Sequence, residues 1–179
     1  MVDLDLARRS RVDGLIDSMR EQVRTGVVPL SIYGDPDIYA LEQERIFNRS
    51  WLFVAHESEL PEPGDYVLRS IADGRWIIAR DSDGAINALY DSCRHRGTSL
   101  CRADKGNANH FRCAYHGWTY KNDGRLIGIP NRDAAYGSNF DSSSWGLLRA
   151  PFVTIHRGLI WVNLDPNAEP FLDYLGDYR

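Results

Sequence analysis

Two short stretches constrain this chain more than any other part of it: Cys93-Arg94-His95 and, after a long spacer, Cys113-Ala114-Tyr115-His116. Each supplies one thiol and one imidazole at short range. Together they make a set of two sulfur and two nitrogen ligands at metal-binding spacing. Two centres compete for such a set: a single tetrahedral zinc, or a 2Fe-2S cluster in which two cysteines hold one iron and two histidines the other. Zinc fingers usually pair cysteine with cysteine and histidine with histidine, whereas here each loop carries one of each, which argues for the cluster. Both sulfurs then converge on an inner iron, and both imidazoles lie outward on the other, facing solvent or a partner.

The neighbours of the four ligands sharpen this reading. Gly97 and Gly117 closely follow the two histidines, where a side chain would keep the backbone from wrapping the cluster and pointing N–H groups at its sulfurs. Tyr115 and Trp118 flank His116 and are placed to cover it from water. Arg94 and Arg96 put positive charge beside a centre of negative net charge.

The run Cys93-Arg94-His95-Arg96-Gly97 with Leu100 following, then Cys113-Ala114-Tyr115-His116-Gly117-Trp118, continues into Tyr120, Gly124 and Leu126. It resembles the Rieske domain of the large (alpha) subunit of Rieske non-haem iron ring-hydroxylating oxygenases, the naphthalene, biphenyl and benzoate dioxygenase group. The likeness extends more loosely from about residue 51 to about residue 165. It implies that Cys93 and Cys113 bind one iron and His95 and His116 the other, and that this chain holds no catalytic residue of its own. It also implies electron delivery from a ferredoxin or flavin reductase through the cluster to a mononuclear Fe(II), which is held by two histidines and a carboxylate and activates oxygen. Neighbouring alpha subunits in a trimeric ring, a beta subunit in the full protein, and an aspartate bridging from His116 belong to the same resemblance. The respiratory Rieske proteins differ in carrying one further cysteine in each loop, joined as a disulfide. At those places this chain has Thr98 and Tyr115, so Cys101 reads as a buried or half-buried free thiol.

The 179 residues, 43% hydrophobic and 26% charged, suit a globular protein with one core and an arm. A net charge of -4 and no basic run longer than Arg8-Arg9 give no reason to expect nucleic acid. No segment approaches membrane-spanning length, and the N-terminus has no apolar stretch of the kind that marks a secretory signal. Three cysteines, two of them claimed by metal, make no disulfide framework, so the expectation is a reducing compartment, the cytoplasm.

Residues 2–24 carry Leu4, Leu6, Val12, Leu15, Ile16, Met19 and Val23 at helical spacing, with Gly26 as a stop. Asp35 and Pro36 open a second helix whose apolar stripe is Ile38, Leu41, Ile46 and Phe47. The period then changes. Residues 51–55, 66–71, 75–80, 85–90, 110–112, 118–121, 125–129, 148–156 and 159–164 read as short strands, with turns at Asp73-Gly74, Asp83-Gly84, Asp123-Gly124 and Arg157-Gly158. Residues 102–109 and 131–144 read as loops, and Tyr90, Trp145 and Trp161 as core. His56, His110 and His156 read as packed or surface histidines.

The predicted fold is therefore mainly β: an antiparallel Rieske 2Fe-2S domain over residues 51–165, a helical arm over 1–50, and over 166–179 the start of a linker to a catalytic domain. No set of two histidines and a carboxylate for a mononuclear iron is found, so the chain reads as a shortened form, a fragment or a short gene product that transfers electrons without hydroxylating. Two other readings stand beside this one. A self-standing Rieske-type ferredoxin needs neither the arm nor the extension, and a zinc-stabilised binding module would lack iron and labile sulfide.

Overall fold

The computed structural model describes residues 2–178, with side chains from residue 8 onward. The chain divides into two units, Met1–Phe47 and Asn48–Arg179.

The first unit is helical. Helix α1 (Val2–Arg24) runs the length predicted for it, and Gly26 follows at φ 76°. Val12 is buried, whereas Val23 is 51% exposed; the side chains of Leu4 and Leu6 lie outside the described residues. Helices α2 (Ser31–Gly34) and α3 (Pro36–Glu42) come next. Asp35 caps α3 by accepting from the amides of Asp37 at 2.9 Å and Ile38 at 3.2 Å, and Pro36 takes the first turn, where its missing N–H costs nothing. The Asp35 carboxylate also takes a two-pronged bond from Arg11, at 2.7 and 3.0 Å. The predicted apolar stripe holds only at its start. Ile38 is buried, but Ile46 and Phe47 are 51% and 37% exposed, because the chain runs on as a π-helix over Gln43–Phe47. A π turn takes one more residue than an α turn, which rotates later positions off the original face.

The second unit is antiparallel β. Its strands are β1 (Leu52–His56), β2 (Asp65–Ile71), β3 (Gly74–Arg80), β4 (Ile86–Tyr90), β5 (Lys105–Asn107), β6 (His110–Arg112), β7 (Thr119–Lys121), β8 (Leu126–Gly128), β9 (Phe152–His156) and β10 (Leu159–Asn163). They form three sheets, ordered β1-β10-β9, β4-β3-β2-β5 and β6-β7-β8. The four-stranded sheet has a core on each face. Trp76, Ile78, Val67 and Ala88 pack with Val54, Ile160 and Val162 of the first sheet. Ile77, Ala79, Leu68 and Leu89 point the other way, toward Cys93, Cys113, Phe111, Trp118 and Tyr120. Successive side chains of a strand alternate between faces, so a strand buried on both reads as an unbroken apolar run, as Trp76-Ile77-Ile78-Ala79 does.

Four local readings need correction. Ile71 pairs with Gly74, so the β2–β3 turn is Ala72-Asp73, with Ala72 in the left-handed region at φ 51°. Gly74 is a packing glycine instead: a Cβ there would stand 2.6 Å from Trp76 Nε1 and 2.8 Å from the Tyr90 ring. The spacer 102–109 contains β5, which pairs with β2 through its backbone while all three of its residues stay exposed, so no apolar pattern marks it. Residues 131–144 include the short helix α4 (Arg132–Tyr136) and enter a 3-10 turn at Ser142–Trp145. Trp145, read as core, is 36% exposed, and Tyr90 and Trp161 are half-buried.

A last helix, α5 (Phe171–Leu175), seats Phe171 on the outer face of the first sheet, 5.3 Å from the Trp51 ring and 5.2 Å from the Trp161 ring. Trp51 Nε1 donates to the Glu169 carbonyl at 3.1 Å, closing the approach to this helix.

Candidate metal centre

The two loops that carry the predicted ligands fold as the same turn. In the first, the Cys93 amide donates to the Thr98 carbonyl and the Gly97 amide to the Cys93 carbonyl, both at 2.8 Å. In the second, the Cys113 amide donates to the Trp118 carbonyl at 2.8 Å and the Gly117 amide to the Cys113 carbonyl at 3.0 Å. Each turn closes through a glycine in the left-handed region, Gly97 at φ 74° and Gly117 at φ 75°. At Gly117 a Cβ would also stand 2.8 Å from the Pro130 ring. The sequences differ in where they put the imidazole: two residues after the cysteine in the first loop, three after it in the second.

These turns bring the four predicted ligand side chains to one place. Cys93 and Cys113 are each 3% exposed and share the core with Phe111, Trp118 and Tyr120. His95 is half-buried and His116 exposed, with ring centroids 4.6 Å apart and planes at 71°. The arrangement is thiols inward, imidazoles outward. Among the described residues no group of three or more His, Cys, Asp or Glu side chains is placed to hold a single metal ion. A two-iron cluster asks instead for a pair of sulfurs and a pair of nitrogens, and this donor set fits it.

The sulfur side is wired for hydrogen bonding. The Tyr120 hydroxyl lies 3.3 Å from Cys93 Sγ and accepts from the Arg94 amide at 3.1 Å; once the sulfur is a thiolate, the hydroxyl proton is the one that lies between them. Burial pushes the Cys93 thiol up from its ordinary value, while Tyr120 and the His95 amide act against the rise and Cys113 adds to it. The Gly97 and Gly117 amides close their own turns. Burial, and then Cys93, push the Tyr120 phenol far above its ordinary range.

The covering of the histidines also differs from the sequence reading. Trp118 is 2% exposed and stacks on His95, not His116, with centroids 5.1 Å apart and planes 8° apart. Tyr136 of α4 reaches His95 from the side, its hydroxyl 3.3 Å from Nε2, which leaves Nδ1 for a metal. Burial lowers the His95 pKa, and the nearby charges of His116 and Arg96 lower it further. Against His116, besides His95 itself, lies Tyr115 at 3.8 Å, and it is 60% exposed. Phe140 and Trp145 pack on Trp118 at 6.3 and 5.8 Å, so residues 131–145 form an aromatic roof over the first imidazole. Sequence reasoning missed Tyr136; the available signal was an aromatic residue every four or five positions in an otherwise polar stretch.

Cys101 is a buried free thiol in the same core. Burial, with Asp91 nearby, pushes its pKa up to about 12. The remaining histidines lie elsewhere: His56 caps the turn at Ser58, His110 is exposed on β6, and His156 rests 5.6 Å from Phe171.

Residues 50–147 match the family described as Rieske [2Fe-2S] domain. The chain is 44% identical over 172 residues to the N,N-dimethyl phenylurea N-demethylase subunit alpha of Sphingobium sp. (strain YBL2), covering 96% of this chain and 38% of that protein. It is 38% identical over 174 residues to the biphenyl dioxygenase subunit alpha of Metapseudomonas furukawaii, covering 94% and 37%. The crystal structure of naphthalene 1,2-dioxygenase from Rhodococcus sp. bound to indole superposes with a TM-score of 0.82 at 46% identity, covering 91% of this chain and 37% of that one. The chain thus spans less than two-fifths of the length of these relatives.

Proposed function

The chain belongs to the Rieske [2Fe-2S] domain family, and on that premise we propose that it relays electrons to the mononuclear iron of a ring-hydroxylating oxygenase alpha subunit, with Cys93 and Cys113 holding one iron of the cluster and His95 and His116 the other. The observation that carries this reading is the pair of matched turns that buries two thiols and sets two imidazoles 4.6 Å apart at the surface. When bound, the cluster takes up and releases one electron at a time.

The chain's own residues define the conditions for that exchange. Cys93 and Cys113 anchor the inner side in a dry core, where Tyr120 directs its proton at the Cys93 sulfur. Trp118 excludes water from one face of His95, and the Tyr136 hydroxyl holds its Nε2. His116 presents the barer imidazole, so the shortest way in or out for an electron passes through it.

The activity of the whole enzyme is part of the proposal. The relatives' names, for biphenyl, naphthalene and N,N-dimethyl phenylurea, support an aromatic substrate, and their designation as alpha subunits supports a multi-subunit assembly. A ferredoxin or flavin reductase fits as the donor, with neighbouring alpha subunits in a trimer as acceptors and a beta subunit beside them. The three free thiols suit the cytoplasm. The deciding experiment is an electron paramagnetic resonance spectrum of the dithionite-reduced, anaerobically purified protein. A signal with the low average g-value of a histidine-ligated 2Fe-2S cluster, with iron and labile sulfide in equal amounts, is the expected result. No signal, together with stoichiometric zinc, overturns the proposal.

A further inference from the structure

The two ligand loops share a turn but not a foundation. The second springs from a ladder: β6 and β7 pair directly beneath it, Arg112 opposite Thr119. The first leaves β4 and returns through Ser99, Leu100 and Cys101, which lie outside the named strands. What receives that return is a side chain. Asp91, immediately after β4, has its carboxylate completely buried. Its Oδ1 accepts from the Leu100 amide at 2.8 Å and the Cys101 amide at 3.1 Å, and its Oδ2 accepts from Ser99 Oγ at 2.5 Å. Arg75 Nε stands 3.3 Å from Oδ2, and Arg75 Nη2 reaches the Cys101 carbonyl at 3.5 Å.

We infer that Asp91 is a positioning residue that replaces the missing strand ladder under the first ligand loop and, with Arg75, biases the charge felt by the cluster. The inference rests on the cluster reading proposed above. A buried carboxyl group is costly unless its oxygens are engaged, and here three hydrogen-bond donors and one cation engage them. Both amides it holds belong to residues of the core that also contains Cys93 and Cys113, so the register of the loop exit is fixed relative to the ligand sulfurs. Such groups behind a ligand orient it and tune the metal. The second effect is electrostatic. Reduction adds one negative charge to the centre, so the Asp91 carboxylate opposes reduction and the Arg75 guanidinium favours it, the more so because the medium between them is apolar.

Two measurements on the full chain test this. Redox titration of the loaded protein, followed by paramagnetic resonance, is expected to show a higher reduction potential for Asp91→Asn and a lower one for Arg75→Gln. A loop that is merely loosened does not give shifts of opposite sign, so an unchanged potential in Asp91→Asn, or shifts in the same direction, overturns the charge role. Amide hydrogen exchange of the cluster-free protein is expected to speed up at Leu100 and Cys101 in Asp91→Ala and to stay unchanged at Trp118, whose neighbour is the β6–β7 ladder. Unaltered exchange at Leu100 and Cys101 overturns the positioning role. If Asp91→Ala does not fold, Asp91→Leu, which fills the space but has no acceptor either, serves the exchange comparison under the same criterion. A wild-type chain that takes up no cluster overturns the proposed function and the charge role with it, and the exchange result then decides the positioning role alone.

Discussion

At the residue scale the four proposed ligands carry different burdens. His95→Ala and His116→Ala each remove half of the protein ligation of the outer iron, and each is expected to abolish the Rieske-type spectrum; an unchanged spectrum in either variant refutes the ligand assignment. Tyr120→Phe keeps the ring in the core but removes the proton aimed at Cys93 Sγ, and a redox titration is expected to show a lower potential, because that bond favours the more negative reduced state. Cys101→Ser leaves the spectrum intact on this structure. The thiol of Cys101 keeps its proton to about pH 12 against an ordinary value of 9.0. The folded state therefore binds more protons than the unfolded one across that window, so this group's contribution to stability is whole below the lower value and is lost as the pH rises toward the higher. Denaturant midpoints are expected to fall between those limits in the wild type, and to fall less in Cys101→Ala. The four candidate ligand positions stood out in the sequence because metal chemistry demands particular residue types at short spacing. Trp118's true partner was not, since stacking on His95 instead of His116 depends on how two loops meet in space.

At the element scale, strands whose side chains alternate or run apolar announced themselves, and those held by backbone alone did not. β3 was visible in its apolar run, whereas β5 is three exposed residues docked on the edge of β2. The β2–β3 turn was misplaced because the glycine in Asp73-Gly74 answers a demand from Trp76 and Tyr90, not from the turn itself. α4 was hidden in a polar stretch that has no apolar face to reveal, its contribution being the single ring of Tyr136. The difference between buried and docked strands is measurable. Ile77 on β3 is fully buried, so Ile77→Ala is expected to cost about 2–5 kcal/mol in chemical denaturation. Ile127 on β8 is 51% exposed, and Ile127→Ala is expected to move the midpoint within about 0.5 kcal/mol of wild type.

At the scale of the whole molecule, charge is sorted along the chain. Residues 93–132 hold eight Lys and Arg against two Asp, while the chain as a whole is at -4. Both ligand loops are free of carboxylates, and Arg94, Arg96 and Arg112 stand exposed beside the imidazoles. Electron uptake from an acidic carrier protein is accordingly expected to slow as ionic strength rises, and stopped-flow rates for Arg112→Gln are expected to depend on salt less steeply. The mainly antiparallel architecture was legible from short apolar runs between glycine turns, but the placing of one sheet between two cores was not, because it is written only in which strands face which. That sheet has a further consequence for how the centre is assembled. The core shared by β3 with β1 and β10 contains none of the four proposed ligands, so it is expected to stay whole when the metal is stripped. The emptied protein is then expected to keep a template on which the loops reform, so that iron and sulfide added under reducing conditions restore the centre without passage through the unfolded chain.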